Sequence, residues 1–403
     1  MVEVLTGKHH LQVGGHTLDF LTGCSGKPAE TKHRMISELS KFAARLRELI
    51  LQPKSSLDER QFGELALELF ALQFAHNTPY RGICAARGVS PKTVEHWTQT
   101  PAIPTSAFKE LELSSIPASE RTAVFHSSGT TEQRPSRHFH NATSLRVYET
   151  SLWRSFEQQA IADLRFTIYD LRVLTPPPKL VPHSSLVHMF EAIREKLGAD
   201  ESVFLGDIGP DNAWTLDFAR TFHALETKAS NQLPKLILGT AFSFVHLLDF
   251  LEERNLRLEL PVGSRVMETG GYKGRSRTMP KAELHALITE RLGVPQSHIL
   301  CEYGMSELSS QAYDTPIVLT RNTQHATRSF HFPPWARAQV ISPETCLAVA
   351  NGETGLLRIF DLANVFSVMA IQTEDLALCR NEEFELVGRA QLAEARGCSL
   401  MTA

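Results

Sequence analysis

A cysteine close to the C-terminus and a hydroxyl-rich loop far upstream are the residues best suited to chemistry in this chain. Cys398 lies in the run Arg-Gly-Cys-Ser-Leu at 396–400. A thiol needs little activation to act as a nucleophile, and Arg396 favours its thiolate. The loop Ser127-Ser128-Gly129-Thr130-Thr131 combines hydroxyls with a glycine, which suits phosphate oxygens. Together they indicate nucleotide-dependent activation of a substrate that is then passed to a thiol.

Each feature also has an ordinary structural explanation. Five hydroxyl and glycine residues in a row are typical of a polar turn, and a cysteine is often a small buried apolar residue. The Walker pattern GxxxxGK followed by Ser or Thr does not occur, so a P-loop ATPase is not supported. The six cysteines are widely spaced without a CxxC pair, which favours a reducing compartment, and four of them are expected to be core residues: Cys84, Cys301, Cys346 and Cys379.

A second segment, Cys-Glu-Tyr-Gly-Met-Ser-Glu at 301–307, directly follows a predicted strand at 298–301. Ligands of open α/β sheets bind at the carboxyl ends of strands. Glu307 is suited to Mg²⁺, which prefers carboxylate and phosphate oxygens, and Ser306 could reach a phosphate. Tyr303 could stack on a base. An ordinary strand-to-loop turn with an exposed glutamate is the competing explanation.

A third segment places Asp375 after Gln-Thr-Glu at 372–374, near the end of another predicted strand. A carboxylate accepts two hydrogen bonds well, so Asp375 is a candidate for the two hydroxyls of a ribose. On its own, a surface turn explains it equally simply.

Hydrophobic periodicity predicts the elements that must position these residues. Apolar residues recur at steps of three and four from about residue 33 to 50 and again from 57 to 75, which predicts two helices. Strands then alternate with helices, which is typical of an α/β fold with a mostly parallel sheet. The predicted strands are 166–174, 235–239, 265–268 and 298–301, and the predicted helices are 144–161, 215–228, 241–254 and 280–291. Beyond about residue 335 only short strands are predicted, at 338–341, 356–360, 368–372 and 384–387.

Composition limits the class of protein. The 403 residues have a formal net charge of −4 and an apolar fraction of 42%, with no long run of like charges, so we expect two or three compact units and no polyanion binding. The N-terminus lacks the apolar core of a signal peptide, and the most apolar stretch, 236–250, is too short and polar to span a bilayer. A cytoplasmic protein is expected.

Taken in order, the segments resemble the adenylate-forming superfamily of acyl-CoA ligases and adenylation domains. The resemblance implies that Ser127–Thr131 closes over the ATP phosphates, and that Tyr303-Gly304-Met305-Ser306-Glu307 is the aromatic-Gly-x-Thr-Glu motif with Ser replacing Thr. It implies that Asp375 binds the ribose. It further implies that Gly270 and Gly271 contact the adenine, and that Arg389 of Gly388-Arg389 contacts the nucleotide just before a hinge.

The resemblance is stronger to the acyl-protein synthetase branch of bacterial luminescence systems. It rests on residues 67–80, 103–109, 127–137 and 388–400. The branch implies an α/β N-terminal adenylation domain with two α/β subdomains and a small β-rich subdomain, without the usual C-terminal domain. It also implies that Cys398 carries the acyl group. The expected organisation is an extension at 1–30, the adenylation domain at 31–387 and a hinge-like tail at 388–403.

Two departures from the superfamily pattern bear on the reaction. Glu132 stands where the superfamily often has glycine, so Arg134 or Arg137 is expected to supply the cation beside the phosphates. The catalytic lysine of the superfamily's C-terminal domain has no counterpart in the sequence, which predicts slow adenylation. The segments 239–246 and 184–190 are candidates to line the acyl pocket, although helix packing in the core explains the first equally well.

The expected function is ATP- and Mg²⁺-dependent activation of a carboxylic acid, by resemblance a fatty acid, as acyl-AMP. The acyl group then passes to Cys398 as a thioester and on to a partner such as an acyl reductase or a carrier protein. Two alternatives remain open: a ligase that delivers acyl-AMP directly to coenzyme A or a carrier-protein thiol, and a non-catalytic scaffold subunit of an acyl-processing complex.

Overall fold

The structure is a computed structural model. It describes residues 12–13, 16–17, 28–52, 56–127, 134–161, 168–210, 212–226, 233–271, 276–316 and 328–390. In this part of the chain no helix is long and apolar enough to cross a membrane.

The helices and strands are numbered in chain order. The helices are α1 Pro28–Leu51, α2 Glu59–His76, α3 Thr78–Ala86, α4 Ala107–Glu110, α5 Ala142–Ala160, α6 Ser185–Leu197, α7 Phe218–Leu225, α8 Ala241–Glu253 and α9 Lys281–Leu292. The strands are β1 Gln12–Val13, β2 His16–Thr17, β3 Ile103–Pro104, β4 Ala123–His126, β5 Arg137–His140, β6 Asp170–Val173, β7 Gly206–Ile208, β8 Trp214–Leu216, β9 Lys235–Thr240, β10 Arg265–Thr269, β11 Ile299–Tyr303, β12 Ala312–Pro316, β13 Arg328–His331, β14 Ala336–Ile341, β15 Thr354–Asp361, β16 Ala370–Arg380 and β17 Glu383–Arg389.

One mixed sheet of eleven strands organises the fold. Its parallel half has the order β6-β9-β10-β11, and its antiparallel half continues through β12, β13, β17, β16 and β15 to β14. The two halves meet where β11 pairs antiparallel with β12, with Glu302 opposite Tyr313 and Tyr303 opposite Ala312. Within the antiparallel half, Phe330 of β13 pairs with Phe384 of β17, and the two rings stack with centroids 5.6 Å apart. The strands predicted beyond residue 335 therefore extend the main sheet.

The parallel half is covered on both faces, which is why its strands are buried throughout. One face packs against α5, α6 and the hairpin β4–β5, in an apolar cluster that includes Leu300, Met267 and Phe156. The other face packs against α8 and α9 through Ile299 and Val266. Alternate residues of β10 and β11 therefore point into different environments.

Side-chain caps begin the helices that flank the site. The Asn141 side chain accepts hydrogen bonds from the backbone amides of Thr143 and Ser144 at the start of α5. The Ser184 side chain does the same for Val187 at the start of α6, and Gly198 ends that helix in the left-handed region at φ +65°. These local signals fix where each helix enters the layer over the sheet.

Most predicted boundaries agree with the structure to within a few residues, with one region differing in type. The segment 215–228 was expected to be one helix, but it contains β8 followed by α7. Asp217 separates them because its side chain accepts the amide of Arg220 and so starts the helix at Phe218. Within the segment 1–30, β1 pairs antiparallel with β2.

Candidate active site

The start of the hydroxyl-rich loop lies beside the 303–307 motif. Ser127 follows β4 at the tip of the hairpin, and its hydroxyl oxygen accepts a hydrogen bond of 3.0 Å from the amide of Ser136. The Ser136 hydroxyl lies 3.3 Å from that of Ser306. The structure thus brings Ser127 and Ser306 together through Ser136. The remaining residues of the loop, Ser128, Gly129, Thr130 and Thr131, lie outside the described residues.

Ser306 and Glu307 are buried and held in a fixed turn. The Ser306 hydroxyl donates to Glu307 Oε2 at 2.9 Å, and the two residues are 6% and 5% exposed. His138 Nδ1 donates to the Ser306 carbonyl at 2.9 Å, and Asn364 Nδ2 donates to the Glu307 carbonyl at 2.9 Å. Burial lowers the pKa of His138 to about 4, so its ring is neutral at neutral pH. The turn presents a carboxylate and a hydroxyl at the carboxyl end of β11.

Asp375 joins two predicted nucleotide-binding residues. The Tyr303 hydroxyl donates to Asp375 Oδ2 at 2.8 Å, and Arg389 Nε donates to Oδ1 at 3.1 Å. Asp375 and Arg389 are register partners on β16 and β17, which explains why residues far apart in sequence meet. The Tyr303 ring is 9% exposed and packs edge-on against Phe384. Each carboxylate oxygen retains a second lone pair for a ligand hydroxyl.

Three glycines shape the space at the strand ends. Gly270 follows β10 with φ +71°, a conformation that a side chain would strain, and a Cβ at Gly270 or Gly271 would meet no atom within 4 Å. There is therefore open space where the adenine was predicted. Gly304 is different, because a Cβ there would lie 2.4 Å from Oε1 of Glu302.

The predicted cation beside the phosphates is already paired with an acid. Arg137, the first residue of β5, lies 3.3 Å from Glu112, which also binds Arg121 at 2.7 Å. Arg121 and then Arg137 lower the pKa of Glu112. Arg134 is more exposed and lies 4.0 Å from Glu110. Arg137 is therefore the better positioned of the two, although its charge is shared.

Sequence reasoning missed the residues that hold the site in place. Ser136 and His138 follow the hydroxyl-rich loop, and their proximity in sequence to Ser127 was the available signal. Asn364 lies 57 residues from Glu307 and has no local signal. The candidate acyl segment 239–246 packs largely in the core against α9, whereas 184–190 lies at the start of α6 beside Tyr148, whose hydroxyl donates to the Ser185 carbonyl at 3.2 Å.

Comparison with known proteins identifies the family. A family model described as "Acyl-protein synthetase, LuxE" matches residues 42–403. The chain belongs to this family of ligases. Among curated proteins, this chain is similar to the long-chain-fatty-acid–luciferin-component ligase of Aliivibrio fischeri. The two are 22% identical over 355 residues, which cover 84% of this chain and 87% of the relative. The enzyme of the same name from Vibrio harveyi is 21% identical over 369 residues, 87% of this chain and 88% of the relative.

Solved structures show the same fold at low sequence identity. An open conformation of 2-hydroxyisobutyryl-CoA ligase, in complex with its acyl-AMP and CoA, superposes with a TM-score of 0.58 at 15% identity, covering 91% of this chain and 80% of the ligase. The same ligase in its postadenylation state gives a TM-score of 0.60 at 15% identity, with coverages of 82% and 67%. The acyl-protein synthetase therefore has the α/β fold of adenylate-forming ligases.

Proposed function

We propose that this acyl-protein synthetase uses ATP to activate a carboxylic acid, of the fatty-acid class, and carries the acyl group on Cys398. The observation that best supports this is the meeting of three distant segments at one edge of the sheet. Ser127, the Ser306–Glu307 turn and the Tyr303–Asp375–Arg389 group all lie around the carboxyl end of β11. Such an edge is the usual ligand site of α/β sheets.

In the first half-reaction, a carboxylate oxygen of the acid attacks the α-phosphorus of ATP, and pyrophosphate leaves. We assign the phosphates to the loop 127–131 and Ser306, the ribose to Asp375 and the adenine to the space beside Gly270 and Gly271. Arg389 orients Asp375, and Arg137 contributes positive charge near the loop. Together these residues hold the acid and the α-phosphate in reacting contact.

Mg²⁺ fits the oxygen atoms present at the turn. Glu307 accepts one hydrogen bond on Oε2, from Ser306, which leaves carboxylate lone pairs beside a hydroxyl oxygen. We assign Glu307 as the metal ligand. When bound, the ion would neutralise negative charge on the phosphate oxygens.

In the second half-reaction, the thiolate of Cys398 attacks the carbonyl carbon of acyl-AMP. The acyl–phosphate bond breaks, AMP leaves and a thioester remains on the enzyme. Cys398 lies outside the described residues, and its role rests on the sequence and the family. An acyl reductase or a carrier protein would then accept the acyl group.

Intact-protein mass spectrometry tests the proposal directly. The enzyme is incubated with ATP, Mg²⁺ and a panel of acids, and pyrophosphate release is followed in parallel. Wild type and Cys346→Ser, which removes an exposed cysteine as a matched control, are expected to gain one acyl group. Cys398→Ser is expected to release pyrophosphate without becoming acylated. Acylation of Cys398→Ser would contradict the thioester site, its transfer of the acyl group to coenzyme A would favour the direct ligase, and no pyrophosphate with any acid would contradict adenylation.

A further inference from the structure

One face of the hairpin β11–β12 carries a group of buried polar side chains. Glu302 of β11 is the register partner of Tyr313 of β12, so their side chains share a face, and Gln311 lies two residues before Tyr313 on the same side. These three residues, which we call the hairpin triad, are 5%, 0% and 4% exposed. Gly304 lies between them, with Oε1 of Glu302 and Cγ of Gln311 over its Cα. The triad is thus built around a position without a side chain.

Polar atoms of the hairpin triad lack partners within the described part of the chain. The Tyr313 hydroxyl and Oε1 of Gln311 are buried and have no hydrogen bond. Glu302 accepts a hydrogen bond from Thr269 Oγ1, and no cation is paired with it among the described residues. Buried polar groups are nearly always hydrogen-bonded, and a buried unpaired one costs about 1 to 3 kcal/mol. Two such atoms beside a buried carboxyl are therefore a feature that a bound group would satisfy.

The neighbours of the triad extend the same polar region. Burial raises the pKa of Tyr148 on α5 and of Tyr313, and the Glu302 carboxylate adds to both shifts, so the three side chains lie close together. Nε2 of His140, whose ring lies 6.0 Å from that of Tyr148, is also buried without a partner in the described structure. Burial raises the pKa of Glu302 itself to about 7, against the opposing effect of Thr269.

The location of the triad relative to the nucleotide residues indicates which part of a ligand would reach it. Side chains of β11 alternate between faces, so Tyr303 points towards Asp375 while Glu302 points towards α5 and α6. In acyl-AMP the phosphate links the nucleotide to the acyl group. With the phosphate at Ser306 and the ribose at Asp375, the acyl group would extend to the opposite face of β11. The hairpin triad would then face the acyl atoms nearest the carboxyl carbon.

We propose that the hairpin triad selects an acid whose acyl chain carries a hydrogen-bond donor, a hydroxyl or an amino group, close to its carboxyl. This inference rests on the proposed adenylation reaction. The unpartnered Oε1 of Gln311 and the carboxyl of Glu302 accept from such a donor, and the Tyr313 hydroxyl donates to it or accepts from it. A plain hydrocarbon chain would leave the Tyr313 hydroxyl and Gln311 Oε1 buried and unsatisfied, which is the basis on which polar sites reject analogues that lack a hydroxyl.

The test compares acids that differ by one group. Butanoic, octanoic and dodecanoic acids are each assayed beside their α-hydroxy, β-hydroxy and α-amino forms, by pyrophosphate release from the full-length enzyme with ATP and Mg²⁺. We expect kcat/KM to be about tenfold to hundredfold higher for a substituted acid than for its parent, from one hydrogen bond gained to a buried group. Comparing the hydroxy acids with the amino acids shows whether the triad prefers a hydroxyl or an amino group as the donor.

Variants assign the preference to the triad. Tyr313→Phe and Glu302→Gln are expected to reduce the ratio of kcat/KM between substituted and parent acid by about fivefold or more. Tyr80→Phe is the matched control, since Tyr80 is a buried tyrosine whose hydroxyl donates to the Pro101 carbonyl elsewhere in the fold, and it should leave the ratio unchanged.

Two results would overturn the inference while adenylation stands. One is equal or better use of the parent acids by wild type, and the other is a preference for substituted acids that survives both triad variants. Absence of pyrophosphate release with every acid would instead reject the proposed function, so the two failures are distinguishable.

Discussion

Two buried glutamates on neighbouring strands have opposite environments. Glu268 of β10 is the register partner of Cys301, and one residue further Thr269 is the partner of Glu302. Glu268 points towards α9, where Lys281 Nζ lies 2.5 Å from Oε1 and His285 Nε2 lies 3.2 Å from the same oxygen. Glu302 points to the other face and has a hydrogen bond from Thr269 but no cation among the described residues. The sheet thus separates a paired carboxyl from an unpaired one.

The pKa values follow from this separation. Burial alone would raise the pKa of both carboxyls, but Lys281 and then His285 overcome it at Glu268 and lower its pKa to about 2. At Glu302 burial dominates, and the pKa rises to about 7. The comparison teaches that buried charge in this fold anchors structure where it is paired, as between α9 and β10. Where it is unpaired, as at Glu302, it is one of the groups on which the proposed recognition of the acyl chain rests.

The largest effect is expected from breaking the paired carboxyl. Glu268→Gln removes the charge that Lys281 and His285 neutralise and leaves an ammonium beside a buried amide. Breaking a buried pair costs about 3 to 5 kcal/mol, and because Lys281 is 43% exposed we expect the low end, about 3 kcal/mol of unfolding free energy. Urea denaturation near neutral pH measures it.

The matched substitution at the unpaired carboxyl sharpens this contrast. Glu302→Gln keeps an oxygen for the Thr269 hydroxyl and removes a charge that has no partner, so stability near pH 7 should be unchanged or higher. Equal losses in the two variants would show that pairing does not distinguish the sites.

The next largest effect is that Glu302 and Glu268 make the unfolding free energy depend on pH in opposite directions. The folded pKa of Glu302 exceeds that of an unfolded glutamate, so the folded state binds the extra proton between about pH 4 and pH 7 and loses stability as pH rises through that range. The unfolding free energy of Glu302→Gln should therefore rise, relative to that of wild type, by on the order of 2 kcal/mol from about pH 5 to pH 7. The pKa of Glu268 is lowered in the folded state, so its pH dependence is the opposite: its contribution to stability is lost as pH falls from about 4 towards 2. Unfolding free energies measured across pH check both dependences. A difference between Glu302→Gln and wild type that does not change with pH would contradict the raised pKa of Glu302.

A smaller effect tests the packing around the unpaired carboxyl. Gly304→Ala puts a methyl group 2.4 Å from Oε1 of Glu302, a clash expected to cost about 1 to 2 kcal/mol. Gly271→Ala is the control, because a Cβ there meets no atom within 4 Å. In a double-mutant cycle, Glu302→Ala should remove most of the Gly304→Ala penalty. Additive losses would mean that another contact is responsible.

The smallest loss of stability is expected where a hydroxyl has no partner. Tyr313→Phe should leave the unfolding free energy unchanged or raise it by up to about 1 kcal/mol, because the buried hydroxyl makes no hydrogen bond within the described residues and its removal relieves a desolvation cost. Tyr303→Phe loses the bond to Asp375 and should cost about 1 kcal/mol. Thermal or urea unfolding of the two variants gives the comparison, and a larger loss for Tyr313→Phe would indicate a partner that the free protein already supplies.

Local sequence predicted much of this architecture. Periodicity placed a helix at 241–254, which the structure has as Ala241–Glu253, and another at 280–291, which it has as Lys281–Leu292. Residue types at predicted strand ends led to Ser306, Glu307 and Asp375, and the family resemblance led to Arg389; the structure brings all four to one edge of the sheet. Periodicity works because its information lies within one turn of helix or one strand.

Long-range contacts account for what the sequence left out. No pattern connects Asn364 with the carbonyl of Glu307, or His138 with the carbonyl of Ser306, because these bonds depend on how a loop and a hairpin pack against β11. The face towards which Glu302 points follows from the register of β11 with β10 and β12, which alternation of hydrophobicity does not reveal in a strand buried on both sides.

The position of Tyr303 at the boundary between the two halves of the sheet has a consequence for biosynthesis. Tyr303 of β11 packs against Phe384 and binds Asp375 of β16, so the proposed nucleotide site is shared between the two halves. A chain emerging from the ribosome completes the parallel half, with Tyr303, Ser306 and Glu307, well before β16 and β17 supply Asp375 and Arg389. If this site binds ATP as proposed, nucleotide affinity would arise only after β17 has been made, and ATP would stabilise the sheet late in its formation.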